Sequence, residues 1–240
     1  MPALVEIHGV VKSYLSQSLR PLRIREFTVS ANDRLSLRGF DAGAAEMFVH
    51  LVTGASLPDE GTVRVAGTDT RDIATDTEWL KSLDRFGIVT HRAVLIDQIS
   101  LASNLALPLT VSIDPMPPVV RERVERLARD AGFEADALER PVGGLSGEDR
   151  LRLHLARAVA NGPEMVMLEH PTAQLTDPAA STRIGETLRT LSDAYGFGWI
   201  ALTEDAAFAG AARGTVLELS PATGELAAPK RGWRSWWGRA

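Results

Sequence analysis

Residues 145–175 read LSGEDRLRLHLARAVANGPEMVMLEHPTAQL, and the pattern of this stretch decides the fold. It opens on a turn-like cluster, Gly143-Gly144-Leu145-Ser146-Gly147. An amphipathic helix follows: Leu151, Leu155, Ala158 and Val159 recur at helical spacing, with Arg150, Arg152 and Arg157 interleaved. Asn161-Gly162-Pro163 stops that helix. The apolar run Met165-Val166-Met167-Leu168 then reads as a buried parallel strand. The strand ends in Glu169-His170-Pro171-Thr172. Ligands of open α/β sheets bind beyond the carboxyl ends of strands, so chemistry is sought there.

Outward from this stretch the chain is dense in short elements. Residues 3–14 alternate as a strand. Residues 22–38 give two strands around Ala31-Asn32-Asp33, read as a hairpin. The second strand runs into Gly39-Phe40-Asp41-Ala42-Gly43-Ala44-Ala45-Glu46, and a helix is expected from about Ala45 to Val52, closing at Gly54. Strand, loop and helix in this order form the frame of a phosphate loop. Residues 57–73 read as a hairpin, and Glu78–Arg85 as a short helix. Residues 86–109 give a strand and a loop. From Pro117 to Gly132, Val120, Val124, Leu127 and Ala131 mark a helix whose other face alternates Arg and Glu. Trp199-Ile200-Ala201-Leu202 is a further buried strand, ending in Thr203-Glu204-Asp205.

The central stretch resembles the signature-to-Walker-B region of ATP-binding-cassette (ABC) ATPases, LSGGQ…R…ARA…P…LLLLDEPT…LD. Leu145, Ser146, Gly147, Ala156-Arg157-Ala158, Pro163, Leu168, Pro171, Thr172 and Leu175 match it. Pro58, Asp59, Gly61, Val63, Val65 and Gly67 match a hairpin of the same family. Asn104 with Ala106-Leu107-Pro108-Leu109 resembles cassettes of lipoprotein-release and macrolide-export type systems. The resemblance covers residues 3 to about 220. It implies an α/β fold: a P-loop NTPase-like ABC cassette with an N-terminal antiparallel β part and a helical signature subdomain at about 110–160. One domain, 1–225, is expected, with a separate tail at 226–240.

The resemblance also implies ATP and Mg²⁺ as ligands, and it assigns positions to them. Tyr14 falls where an aromatic residue stacks on adenine. Gly39, Gly43, Ala44, Ala45, Glu46 and Met47 occupy the phosphate loop, with Ala44 at its second glycine, Ala45 at its lysine and Glu46 at its Mg²⁺-holding hydroxyl. His91 stands at the Q-loop glutamine. Leu145, Ser146 and Gly147 keep half of the signature, which in the family contacts a γ-phosphate on the opposing subunit, while Glu148 and Asp149 replace its glycine and glutamine. Glu169 is at the Mg²⁺-directed aspartate, and His170 is at the catalytic glutamate that orients or deprotonates water. Histidine titrates near neutrality, so it is not by itself a loss of the base. Glu204 stands where a histidine meets the γ-phosphate.

Nearly every position with a chemical role is therefore substituted while the scaffold pattern persists. Glu46, Glu148 and Glu204 place negative charge toward a site built for a polyanion. At ~4 Å and an effective dielectric of ~20, each such pair amounts to about 4 kcal/mol at the upper end. ATP and Mg²⁺ binding is predicted to be weak or lost. Arg38 or Arg92 would have to stand in for the missing lysine.

Composition bounds the remaining possibilities. The 240 residues suffice for one large domain, and a formal charge of −5 argues against a nucleic-acid partner. With no cysteine, disulfides and thiolate metal sites are excluded. There is no 18-residue apolar run and no basic-then-apolar leader pattern, so a soluble cytoplasmic protein is expected. The family resemblance implies a place at the inner face of the membrane, as a peripheral subunit. The end of the chain places Trp233, Trp236 and Trp237 at helical spacing among Lys230, Arg231, Arg234 and Arg239. Such a segment suits either a membrane surface or packing on a protein.

Three readings follow. The first is a cassette subunit of an ABC-type transport system with impaired hydrolysis, docking to a membrane-spanning subunit and a second cassette. The second is an active but unusual ABC ATPase using Glu169 and His170. The third is a soluble interaction module that kept the cassette fold.

Overall fold

A computed structural model describes residues 2–14 and 20–229. The chain opens with β1 (Ala3–Lys12), β2 (Leu22–Ser30) and β3 (Arg34–Arg38), and continues into α1 (Ala42–Val52). Then come β4 (Glu60–Val65), β5 (Thr68–Asp69), α2 (Asp76–Leu83) and β6 (Phe86–Val89). Helices α3 (Leu101–Ala106), α4 (Pro118–Asp130) and α5 (Gly147–Val159) lead to β7 (Met165–Glu169). The chain closes with α6 (Pro178–Tyr195), β8 (Gly198–Leu202), α7 (Ala206–Ala212), β9 (Thr215–Ser220) and β10 (Glu225–Ala227).

Two sheets form. One has the order β10-β9-β3-β8-β7-β6, in which β6, β7, β8, β3 and β9 run parallel. The other, β2-β1-β4-β5, is antiparallel. β7 and β8 are buried at every residue, which is why they read as unbroken apolar runs. Residues 22–38 are not a hairpin. β2 pairs with β1, whereas β3 lies between β8 and β9, so the turn at Ala31-Asn32-Asp33 carries the chain from one sheet to the other.

The core between the two sheets is filled from α1. Phe48 packs edge-on against Phe27 and Phe40, with ring centroids 5.8 and 5.6 Å away. α3, α4 and α5 bury Leu101, Leu105, Val124, Ala128, Leu153 and Ala156 against one another in a cluster of their own. α3 thus belongs to the helical part, although it precedes residue 110. Asn104 is fully buried here: it accepts from the Ile96 N–H and donates to the carbonyls of Ile96 and Ser100, clamping the loop before α3.

The parallel strands share one carboxyl edge. β3 delivers Gly39 there, β6 delivers Thr90-His91-Arg92, β7 delivers His170, and β8 delivers Thr203-Glu204. Residues far apart in sequence meet for this reason.

Candidate functional site

The loop after β3 departs from expectation. α1 starts at Ala42, three residues before the expected Ala45, so Gly43 and Ala44 are helical. Asp41 is the N-cap: its carboxylate accepts from the Ala44 N–H at 2.8 Å, and its carbonyl from the Ala45 N–H at 2.9 Å. The helix dipole is thus met by Asp41, not by Glu46, which lies beyond the first turn. Ala45 is fully buried in the core, and Met47 packs against the same cluster. Tyr14 lies beside this turn, its ring 3.7 Å from where a Cβ on Gly43 would sit. Burial, and secondarily the Asp41 charge, raise its phenol above the ordinary value. Gly39 has φ +82°, and a Cβ there would lie 2.6 Å from the Leu219 carbonyl oxygen, so the backbone alone requires this glycine.

Glu204 reaches the same loop from β8. Its carboxylate accepts from the Gly39 N–H at 2.6 Å and from Arg38 Nε at 3.2 Å. Two backbone donors of the loop are therefore already satisfied by the chain's own carboxylates, those of Glu204 and Asp41.

On the other side of α1, Arg92 is held between two acids. It forms an ion pair with Glu46, and its Nη2 lies 3.0 Å from Glu169 Oε2. Thr90 Oγ1 also donates to Glu169, at 3.0 Å. The Glu169 side chain is only 4% exposed, so a cation partner is what makes its charge tolerable there. Neither Arg38 nor Arg92 is free to replace the missing lysine, because each is engaged by carboxylates. The resemblance assigns Mg²⁺ to positions 46 and 169 and phosphate to the loop's N–H groups. Residues that face each other this way, with a guanidinium between the first pair and carboxylates on the second set, do not fit a Mg²⁺–triphosphate.

A cavity of about 750 Å³ opens between the sheet edge and α5. It brings together His91, Gly147, Glu169 and His170, with Ala42 from the start of α1 and His154 from α5. Tyr14, Glu46, Leu145, Ser146 and Glu204 are not among its walls. His91 is exposed. His170 has a left-handed backbone, φ +42°, which is uncommon outside glycine. Its N–H is fixed to the Leu202 carbonyl at 2.9 Å, and its Nε2 is buried without a hydrogen-bond partner. Burial, then the charges of Arg157 and Arg150, push the His154 imidazole down to about 4, so this ring is neutral at pH 7.

The signature positions are also internally occupied. Ser146 caps α5, accepting from the Asp149 N–H at 3.1 Å and donating its hydroxyl to Asp149 at 2.8 Å. Glu148 does not face outward toward an anion. Arg183 binds it at 2.6 Å and Arg152 at 2.5 Å, and Arg183 also holds Asp177. The Arg183 contact foremost, aided by the charge of Arg152, keeps the Glu148 carboxyl below its ordinary range despite some desolvation. All three introduced glutamates thus have arginine partners, and bare repulsion toward a polyanion overstates their effect.

Sequence spacing gave no sign of several of these partners. Arg183, Asp97 and His154 belong to no motif in the sequence, and Arg92 enters the sequence reading only as a stand-in for the missing lysine. Asp97 binds Arg150 at 2.5 and 2.9 Å, and Arg157 donates to the Val94 carbonyl at 2.8 Å, so the loop after β6 is tied to α5. One signal was available for α1: Asp41 is a good N-cap, placed one residue before the helix begins. Trp233, Trp236 and Trp237 lie outside the described residues. Among the described residues, no helix is long and apolar enough to cross a membrane.

Comparison with known proteins adds the following. The family described as ABC transporter matches residues 26–173, more than half of the chain. The lipoprotein-releasing system ATP-binding protein LolD of Coxiella burnetii is 25% identical over 208 residues, covering 86% of this chain and 88% of that protein. The macrolide export ATP-binding/permease protein MacB of Salmonella choleraesuis is 25% identical over 198 residues, covering 80% of this chain but 30% of that protein. Among solved structures, an ATP-binding cassette in a dimeric post-hydrolysis state bound to ADP and Pi superposes with a TM-score of 0.71. It is 22% identical and covers 91% of this chain and 95% of its own.

Proposed function

The chain belongs to the ABC transporter family, and from that membership we propose that it is a cassette subunit whose ATP hydrolysis is impaired or lost and whose role is structural or regulatory. The observation that carries this reading is the self-satisfied phosphate loop, with Glu204 on the Gly39 N–H and Asp41 on the Ala44 N–H. A triphosphate would have to displace both carboxylates, and no lysine is present to compensate, so binding of ATP and Mg²⁺ is weak or absent.

The partners proposed are a membrane-spanning transporter subunit and a second cassette. The joined ATP-binding and permease parts in the name of the MacB relative support the first. The dimeric state of the superposed cassette supports the second. The position in the cell is then cytoplasmic, peripheral at the inner face of the membrane. Contact of Trp233, Trp236 and Trp237 with that membrane is a further part of the proposal.

The test is release of inorganic phosphate from MgATP by the full chain. No turnover above the blank is expected. One observation favours the alternative of an active, unusual ATPase: the Nε2 of His170, at the catalytic-glutamate position, is held by no hydrogen bond of the chain and lies at the cavity. Steady turnover that disappears in His170→Ala would establish that alternative instead.

A further inference from the structure

We infer that the Arg92 guanidinium is a built-in cation occupying the place of a metal between Glu46 and Glu169, so that this edge of the sheet is charge-balanced and held in one arrangement without Mg²⁺. The inference rests on the family assignment of positions 46 and 169 to the metal, and it goes beyond the loss of hydrolysis by naming what replaces the ion.

The geometry has three parts. Arg92 pairs with Glu46 of α1 through Nη1 and with Glu169 of β7 through Nη2, the latter at 3.0 and 3.4 Å to its two oxygens. The planar fork of a guanidinium reaches two carboxylates at once, which a lysine ammonium does less well. Among the described residues, the Thr90 hydroxyl donates to Glu169 and, more distantly, His50 Nε2 lies 3.9 Å from Glu46. Finally, Glu169 is buried, so the pair needs a positive charge, and the chain supplies it from the loop after β6.

The location of Arg92 gives the replacement a consequence. Its loop continues to Val94 and Asp97, which are bound by Arg157 and Arg150 of α5. A covalently attached cation cannot leave with a nucleotide. The loop, and through it the helical part, is therefore held to the sheet edge whether or not nucleotide is present.

The test uses the full chain and Mn²⁺ alone, without nucleotide, so it is independent of whether ATP is hydrolysed. Thermal unfolding is recorded with and without millimolar MnCl₂ for wild type, Arg92→Gln and Arg92→Gln with Glu169→Gln, alongside electron paramagnetic resonance of free Mn²⁺. Hard divalent cations take carboxylate and hydroxyl oxygens, which the single substitution leaves vacant. Arg92→Gln is expected to unfold several degrees below wild type, to be stabilised by Mn²⁺, and to take up the ion at least tenfold more tightly than wild type. Wild type and the double variant should not respond. Amide exchange over residues 90–97 should quicken in Arg92→Gln and slow again with Mn²⁺. If Arg92→Gln does not fold alone, it should fold in the presence of Mn²⁺. Equal Mn²⁺ uptake by wild type would overturn the inference, as would an Arg92→Gln protein, folded or not, that ignores Mn²⁺.

Discussion

Glu204 Oε1 lies 2.6 Å from the backbone nitrogen of Gly39, so a carboxylate from the end of β8 is hydrogen-bonded to the first residue of the loop before α1. The same carboxylate takes Arg38 at 3.2 Å, and both side chains are well exposed. Exposed pairs of this kind contribute little to stability, about 0.2–1 kcal/mol. Glu204→Gln is therefore expected to shift the urea midpoint only slightly. Its effect should be on anion affinity: weak binding of a fluorescent nucleotide should strengthen measurably, because one charged competitor for the Gly39 N–H is gone. An unchanged titration would mean that Glu204 does not guard the loop.

Restoring the loop's charge pattern is not enough to rebuild it. Ala45 is fully buried, and the Ala44 N–H is held by Asp41. Ala45→Lys alone is expected to destabilise by several kcal/mol, since the ammonium enters an apolar core. Ala45→Lys with Glu46→Ser should raise nucleotide affinity modestly. Adding Asp41→Gly and Ala44→Gly, which remove the cap and let the first turn open, should raise it further. Fluorescence titration of the series orders these effects. A double variant as tight as the quadruple one would show that the cap is no obstacle.

Glu148 stabilises the junction of α5 and α6 rather than repelling a ligand. Its side chain is 16% exposed and joined to Arg183 and Arg152. Glu148→Gln should cost about 1.5–3 kcal/mol, the range for hydrogen bonds to charged groups. The carboxyl is held below its ordinary value of 4.5 in the folded chain, first by the Arg183 hydrogen bond. Its contribution is thus fully present above the unfolded value and is lost as pH falls through the lower folded one. Urea melts below pH 4.5 should show wild type losing stability faster than Glu148→Gln; parallel curves would contradict the pairing.

His154 adds a second window of pH dependence. In the folded chain its imidazole is pushed down to about 4 from 6.5, by burial first and by Arg157 and Arg150 next. Below pH 6.5 the unfolded chain takes the proton and the folded chain does not, so stability falls as pH drops from 6.5 toward 4. After discounting for the ring's partial exposure, the loss is about 1–2 kcal/mol. His154→Gln should flatten that slope. A slope identical to wild type would place the proton uptake elsewhere.

The layout of the fold was legible where local pattern suffices. The buried run Met165–Leu168 and the strand Trp199–Leu202 were read directly, because parallel strands covered on both faces are apolar throughout. α6 carries its own marks in the sequence, an Asp177 cap, Pro178 at its first position and Gly196 after its end. The path from β2 to β3 was misread as a hairpin, since a turn signal does not reveal that the two strands join different sheets. The site was legible as a set of positions but not as a set of partnerships. Arg92 meets Glu169 across 77 residues of sequence and Arg183 meets Glu148 across 35, separations that no spacing rule reaches. Three added acids suggested repulsion, and only the fold shows that arginines answer each of them.

The most direct measurement is calorimetric titration of the full chain with MgATP, cross-checked with a fluorescent nucleotide. A loop whose donors are already taken by Glu204 and Asp41, and whose metal position holds Arg92, predicts no saturable binding at millimolar nucleotide. Saturation in the micromolar range, about 8 kcal/mol of binding free energy, would contradict that account and show that ligand displaces the chain's own charges.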